Sequence, residues 1–464
     1  MFGLQSVFER KIKNDLLLSF FTVSSPHFTF MTHMTFASIS SRIPESLSPN
    51  HVSVFDSNRN RDVPIFTQRH ENDTAEIVLV HEPGIEIFMG SLHPNGALYE
   101  KPVNLRKAQK QHRTFVKILT DNGCSVYTVR QVLAMDCEDD LKSRIQLEDF
   151  AFASLTYEFS GNAEELSESD KRLLSGSYKR EILSEMDVDN LVELIITQPT
   201  VTLSKSSINT ALTAESHSFK PLGNLVFCRD QQIVTNNGVV MCNLNSTQRA
   251  GEIAVMKFCL EKLGLNVLGM VQGKGRLEGG DFFPFGDDMC FVGIGLRSNI
   301  EAINQLMEND WFGTRRVVVV RDDFDRSQDR MHLDCVWNVI SDRLCLILDS
   351  IIGSESSRKR TVDVYIRDDH GKYLLGQSGT EFSEFLRTEG FEFITVTDAE
   401  QAAYGCNLLN LGSSNLICVN ESVARKIARH ELFTGKISLL DFSAIQACYG
   451  STHCASQVLS RRRT

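Results

Sequence analysis

Hydrophobic and polar positions along most of this chain switch between two periods, one suited to strands and one to helices. Ile77-Val78-Leu79-Val80 is an apolar run closed by Pro83-Gly84, which predicts a strand. Residues 104–121 carry Leu105, Ala108, Phe115, Val116 and Leu119 at near-helical spacing and stop at Asn122-Gly123, a helix C-terminal signal. Residues 124–129 predict the next strand. From residue 223 onward the same texture predicts strands at 223–227, 239–243, 267–271, 290–293, 317–320, 362–366, 393–395, 416–419 and 437–440. Helices near 250–263, 300–307, 383–388 and 422–430 separate several of them. Residues 136–216 differ: they hold little glycine, no convincing strand and amphipathic stretches such as 187–196, and they read as a helical insertion. The expected order is an N-terminal extension (1–75), a first α/β unit (76–135), the insertion (136–216) and the remaining α/β units (217–464). Short strands alternating with single helices fit either a doubly wound sheet or a ring of small βαβ units, and periodicity does not choose between them.

Composition narrows the function classes. At 464 residues the chain has room for two or three domains, or one large one with an insertion, at about 100–200 residues per domain. Hydrophobic residues at 42% and charged residues at 23% are ordinary for a globular protein with a sizeable core. The net charge of −11 argues against nucleic acid, whose phosphates need a basic surface, and suits a small cationic ligand. Twelve cysteines lie between Cys124 and Cys454 with no C-x-x-C pair and no ladder of Cys and His at zinc spacing. They read as reduced thiols of an intracellular protein. The apolar run from Leu16 to Val23 follows the basic Arg10 to Lys13 and is too short to span a bilayer, which takes about 20 residues. Residues 1–75 therefore read as a disordered or targeting extension, and no membrane partner is expected.

Four short segments carry chemistry. Asp230 follows an apolar run, as a residue at a strand end would. In Leu277-Glu278-Gly279-Gly280-Asp281, two acids flank a glycine pair that permits close backbone approach to a ligand. In His332-Leu333-Asp334, a strand would put the imidazole and the carboxylate on one face, where they could act as acid and base or ligate a metal. His453-Cys454 places a thiol beside a histidine, and a thiol becomes a nucleophile when a neighbouring cation, imidazolium or bound substrate, lowers its pKa. Gly273-Lys274-Gly275 fits neither a dinucleotide fingerprint nor a phosphate loop. A thiol nucleophile among several carboxylates suits few substrates, the guanidinium group foremost.

In order and spacing these segments resemble the arginine deiminases of the guanidino-modifying, amidinotransferase-like superfamily. The likeness runs from about Glu76 to Leu459 and includes the insertion. It implies a five-bladed α/β propeller with the active site at its centre. It also implies hydrolysis of L-arginine to L-citrulline and ammonia without metal or organic cofactor. By position, Cys454 matches the nucleophile, His332 the general acid–base, and Asp230 and Asp334 the carboxylates that grip the guanidinium. Glu278 matches the acid that pairs with the histidine, with Asp281 in the same loop. Asn224, Arg249 and Arg297 match substrate-binding residues, the two arginines holding the α-carboxylate in bidentate fashion. The family's arginine just before the nucleophile is replaced by Tyr449. A cytoplasmic homo-oligomer is expected, with an organelle address in the extension left open. An amidinotransferase, a hydrolase of agmatine or methylarginine, and a non-catalytic arginine-binding protein are the competing readings.

Overall fold

A computed structural model describes residues 66–463 apart from 207, 209 and 210. One pattern recurs five times: a first strand pairs antiparallel with a middle strand, which pairs parallel with a third. Parallel neighbours need a crossover, and in each unit a helix supplies it between the middle and third strands. The first unit has Thr74–Val80 in the middle, with Ser125–Thr128 parallel and the C-terminal strand Gln457–Arg462 antiparallel. The second comprises Gln232–Val234, Val239–Met241 and Val267–Met270, crossed by the helix Ala250–Lys262. The third comprises Phe282–Phe285, Met289–Ile294 and Arg316–Arg321, crossed by Ile300–Glu308. A hairpin, Thr361–Arg367 with Tyr373–Glu381, extends its sheet to five strands. Trp337–Val339, Leu344–Leu348 and Glu392–Val396 form the fourth unit, and Leu409–Asn410, Leu416–Cys418 and Ile437–Leu439 the fifth.

The sequence accounts for these elements locally. The middle strand Leu344–Leu348 is buried throughout, as expected for a strand covered on both faces. Asparagine caps three of the crossover helices: Asn104, Asn299 and Asn420 each accept a backbone N–H of the first turn. Val239, Val240 and Met241 share one apolar cluster with Ile253, Met256 and Leu260 of their crossover helix.

Three expectations need correction. The insertion is not purely helical. Besides the helices Leu141–Ser154, Glu168–Leu173, Gly176–Glu185 and Val188–Thr197 it contains a sheet of Thr156–Phe159, Pro199–Lys205 and Leu212–Phe219. Leu212–Phe219 is exposed on both faces, so it lacks the alternation that betrays a strand. The 223–227 segment is a pair of turns, with Leu225 N–H donating to Leu222 O and Phe227 N–H to Asn224 O. Its apolar residues are buried by the fold around them and form no ladder. The fold also begins before residue 76: Gln68 N–H donates to Thr235 O, and the first strand starts at Thr74. The remainder of the expected extension, 1–65, lies outside the described residues. Among those described, no helix is long and apolar enough to cross a membrane, and all twelve cysteines are free.

Candidate active site

The segments entering the first strands of four units converge. In the second unit the turns at 223–230 space Asn224, Phe227 and Asp230 three residues apart, and all three line one cavity. His332, Arg249, Arg297, Tyr449 and Cys454 line the same cavity. Glu278 and Asp334 stand behind them, each bonded to a lining residue. Residues more than two hundred positions apart therefore meet at one thiol.

His332 does not lie in a strand. It caps a short 3-10 turn, Leu333–Cys335, and this turn, not strand pleating, sends its imidazole and the Asp334 carboxylate into the site. Its Nε2 lies 2.8 Å from Glu278 Oε2. Its Nδ1 is buried without a hydrogen-bond partner, 3.9 Å from Asp230 Oδ1, which is equally unpartnered. Burial alone lowers a histidine pKa, but Asp230, Glu278 and Asp281 outweigh it and raise His332 to about 10. Glu278 is driven the other way: burial opposes its charge, yet the bonded imidazole and then Arg249 and Arg297 bring it to about 2. The pair is therefore imidazolium and carboxylate at neutral pH. The glycine pair makes room for it. A Cβ on Gly280 would stand 2.6 Å from His332 Nδ1, and one on Gly279 would stand 1.9 Å from Arg229 O.

Asp334 accepts from both sides. His453 Nδ1 lies 2.8 Å from its Oδ2, and the Cys454 thiol lies 3.5 Å from the same oxygen. The histidine next to Cys454 thus serves the carboxylate and not the sulfur. Its other nitrogen is 3.5 Å from Glu71, and its ring stacks on Phe283 at 5.1 Å. Glu71 in turn pairs with Arg461 and lies 3.6 Å from Arg229. Burial, then Asp334 and Asp230, push the Cys454 thiol far above its ordinary value. The thiol is therefore neutral at neutral pH.

The remaining sequence candidates fall into two groups. Arg249 donates to Asp230 Oδ2 at 2.8 Å and to Glu252 at 3.0 Å, and Asn224 donates to Ala97 O at 3.0 Å. Arg297 donates to Gln328 Oε1 at 3.0 Å and keeps a buried, unpartnered Nε. Asp281 stands apart: it does not line the cavity, and both its oxygens are taken, by Leu333 N–H at 2.9 Å and Ser298 Oγ at 2.6 Å. Its place is to hold the turn that carries His332, which corrects its assignment to substrate binding. One ligand atom each from Asp230, Glu278 and His332 lies within 4.8 Å of the others, close enough to surround a cation. Sequence reasoning missed Glu71 and Asn407. Glu71 fell in the stretch assigned to the extension, and Asn407 carries no distinctive chemistry of its own.

A family model described as arginine deiminase matches residues 96–461. An arginine deiminase of Halobacterium salinarum is 23% identical over 482 residues, covering 84% of this chain and 96% of its own length. One of Listeria innocua serovar 6a is 23% identical over 413 residues, covering 79% and 94%. Among solved structures, an amidinotransferase from Microseira wollei matches with a TM-score of 0.50 at 12% identity, over 86% of this chain and 98% of that one. That last likeness bears on the fold alone, an α/β architecture.

Proposed function

The chain belongs to the arginine deiminase family, and we propose that it hydrolyses L-arginine to L-citrulline and ammonia through a covalent intermediate on Cys454. The observation that carries this reading is the pair of unpartnered buried atoms, Asp230 Oδ1 and His332 Nδ1, in the cavity that holds the thiol. A buried carboxylate oxygen without a donor is costly, and a guanidinium N–H supplies the donor. Arginine stays protonated, its pKa lying above about 12. Asp230 and Asp334 hold its nitrogens and bring the central carbon over the sulfur, where orientation contributes much of the rate. The substrate's positive charge lies against the sulfur and stabilises the thiolate, the thiol proton passing to solvent and returning when the sulfur is released. The sulfur adds to the carbon, and charged His332 gives its proton to the departing ammonia. A water molecule, deprotonated by the same imidazole, adds to the thiouronium carbon. The C–S bond then breaks, leaving citrulline and returning the sulfur.

In this reading Arg249 and Arg297 receive the α-carboxylate with Asn224, and Tyr449 contributes a phenol where the family has an arginine; all four line the cavity. The five three-stranded units read as the blades of a propeller around this cavity. In support, each unit sends the segment before its first strand toward the thiol. The three-ligand cluster of Asp230, Glu278 and His332 offers a metal ion a comparable seat, but that reading leaves Asp334 and the thiol without a part. Incubation with arginine, agmatine and dimethylarginine separates the substrates, and product analysis separates hydrolysis from amidino transfer. The expected result is citrulline and ammonia from arginine, insensitive to chelators and abolished in Cys454→Ala while arginine binding persists. Full turnover in that variant would reject the mechanism. Arginine binding without turnover by the unaltered protein would make it a binding protein.

A further inference from the structure

We propose that Asn407 is a positioning residue for the nucleophile, its side-chain amide aiming the Cys454 sulfur and favouring the thiolate. The proposal deepens the mechanism above and rests on its assignment of Cys454. Architecture supplies the first argument. Four units place a reactive group just before their first strand: Asp230 before Gln232, Glu278 before Phe282, His332 and Asp334 before Trp337, and Cys454 before Gln457. The fifth unit's first strand starts at Leu409, and no candidate from the sequence precedes it. Asn407 occupies that place, two residues ahead of its strand, as Asp230 is in the second unit.

Geometry supplies the second. Asn407 is buried, at 2% exposed, and its amide meets the nucleophilic residue at two points. Cys454 N–H donates to Asn407 Oδ1 at 3.4 Å, and Asn407 Nδ2 lies 3.1 Å from Cys454 Sγ. The backbone donor decides which way the amide faces. With Oδ1 turned to that N–H, only the NH2 group remains for the sulfur; reversed, two donors would oppose each other. A third bond, Thr452 Oγ1 to Asn407 O at 3.2 Å, ties the same loop to the same residue.

Chemistry supplies the third. The sulfur has two polar side-chain neighbours of opposite effect. Asp334 Oδ2 at 3.5 Å can only accept, so it favours S–H, whereas an amide N–H can only donate, so it favours S⁻. Asp230 and His332 also line the cavity, Cys335 is bonded to the other Asp334 oxygen, and His453 is engaged by Asp334 and Glu71. Tyr404 and Tyr449 line a second cavity together with Asn407. Once a guanidinium takes Asp334, the amide is the side-chain donor left on the sulfur, beside a backbone hydrogen bond from Ser451.

The test uses the full-length protein with Asn407→Asp, a shape-conserving loss of the donor, and Asn407→Ala. Iodoacetamide alkylation of Cys454, followed by peptide mass mapping at one mildly alkaline pH, reports the thiolate fraction without any substrate. A hydrogen bond to a charged group corresponds to about a ten- to hundredfold change, so the alkylation rate is expected to fall by that factor in both folded variants. In parallel, kcat falls and its acid limb moves about one to two pH units upward, while KM for arginine changes less than about threefold. An unchanged alkylation rate overturns the proposal even if activity drops, and so does loss of folding in both variants, which would make the residue structural. Failure of the unaltered protein to convert arginine would reject the proposed reaction but leave this titration readable.

Discussion

Burial and two carboxylates keep the Cys454 thiol neutral, whereas at His332 the carboxylates outweigh burial and hold an imidazolium, raised to about 10. The substrate completes the site, and the carboxylates are what make it welcome. Asp230→Asn and Asp334→Asn should each lower kcat/KM by about 3–5 kcal/mol in transition-state terms, the scale of a buried charge that loses its partner. Steady-state kinetics check this, and near-normal values would remove the guanidinium clamp. Tyr449 lines the cavity in the left-handed region, at φ 68°. Tyr449→Arg should restore a charge-assisted contact to the α-carboxylate and lower KM for arginine about tenfold, without helping agmatine, which has no carboxylate. Equal gains for both substrates would contradict that assignment. Asp230, His332 and Cys454, which the structure brings to one cavity, were legible as candidates because acids, a histidine and a thiol announce themselves. Asn407 was not, because an amide gains meaning only from what it faces.

At the scale of elements, the candidate site residues sit in the short segments entering first strands, and glycine makes two of the approaches possible. Gly280→Ala would drive a methyl group into the His332 ring, at 2.6 Å from Nδ1 and 2.9 Å from Cγ. Displacing a catalytic group by about 1 Å can cost a hundredfold, so kcat should fall by about that factor, while thermal unfolding shifts only modestly. A collapse of the whole fold would show that the glycine is structural. Elements with a strong period were legible: residues 317–320 predicted the buried core of the strand Arg316–Arg321, and 250–263 the helix Ala250–Lys262. The insertion sheet was not, because Leu212–Phe219 is solvated on both faces. Nor was the turn at Leu333–Cys335, where three residues read equally well as a strand.

Across the whole molecule, five copies of one strand pattern bring together residues from position 71 to position 454. No sharp repeat is visible in the sequence, because each unit keeps the pattern of burial and not the residues. The shared charge system also couples the site to global stability. His332 is raised above its ordinary 6.5, so the stability it contributes is full below that value and is lost as pH rises through about 10. Glu278 is depressed below 4.5, so its contribution is full above that value and is lost as pH falls through about 2. Denaturant unfolding of the unaltered protein should therefore weaken from about pH 6.5 upward, and His332→Ala should lack this component; parallel curves would contradict the ion pair. Rapid acid quench of the protein during turnover of carbon-labelled arginine, followed by peptide mass mapping, tests whether the Cys454 sulfur bonds to the guanidinium carbon. The account predicts an arginine-derived adduct, short of one ammonia, on the peptide containing Cys454; citrulline formation with that peptide unlabelled throughout, or label on another residue, would contradict it.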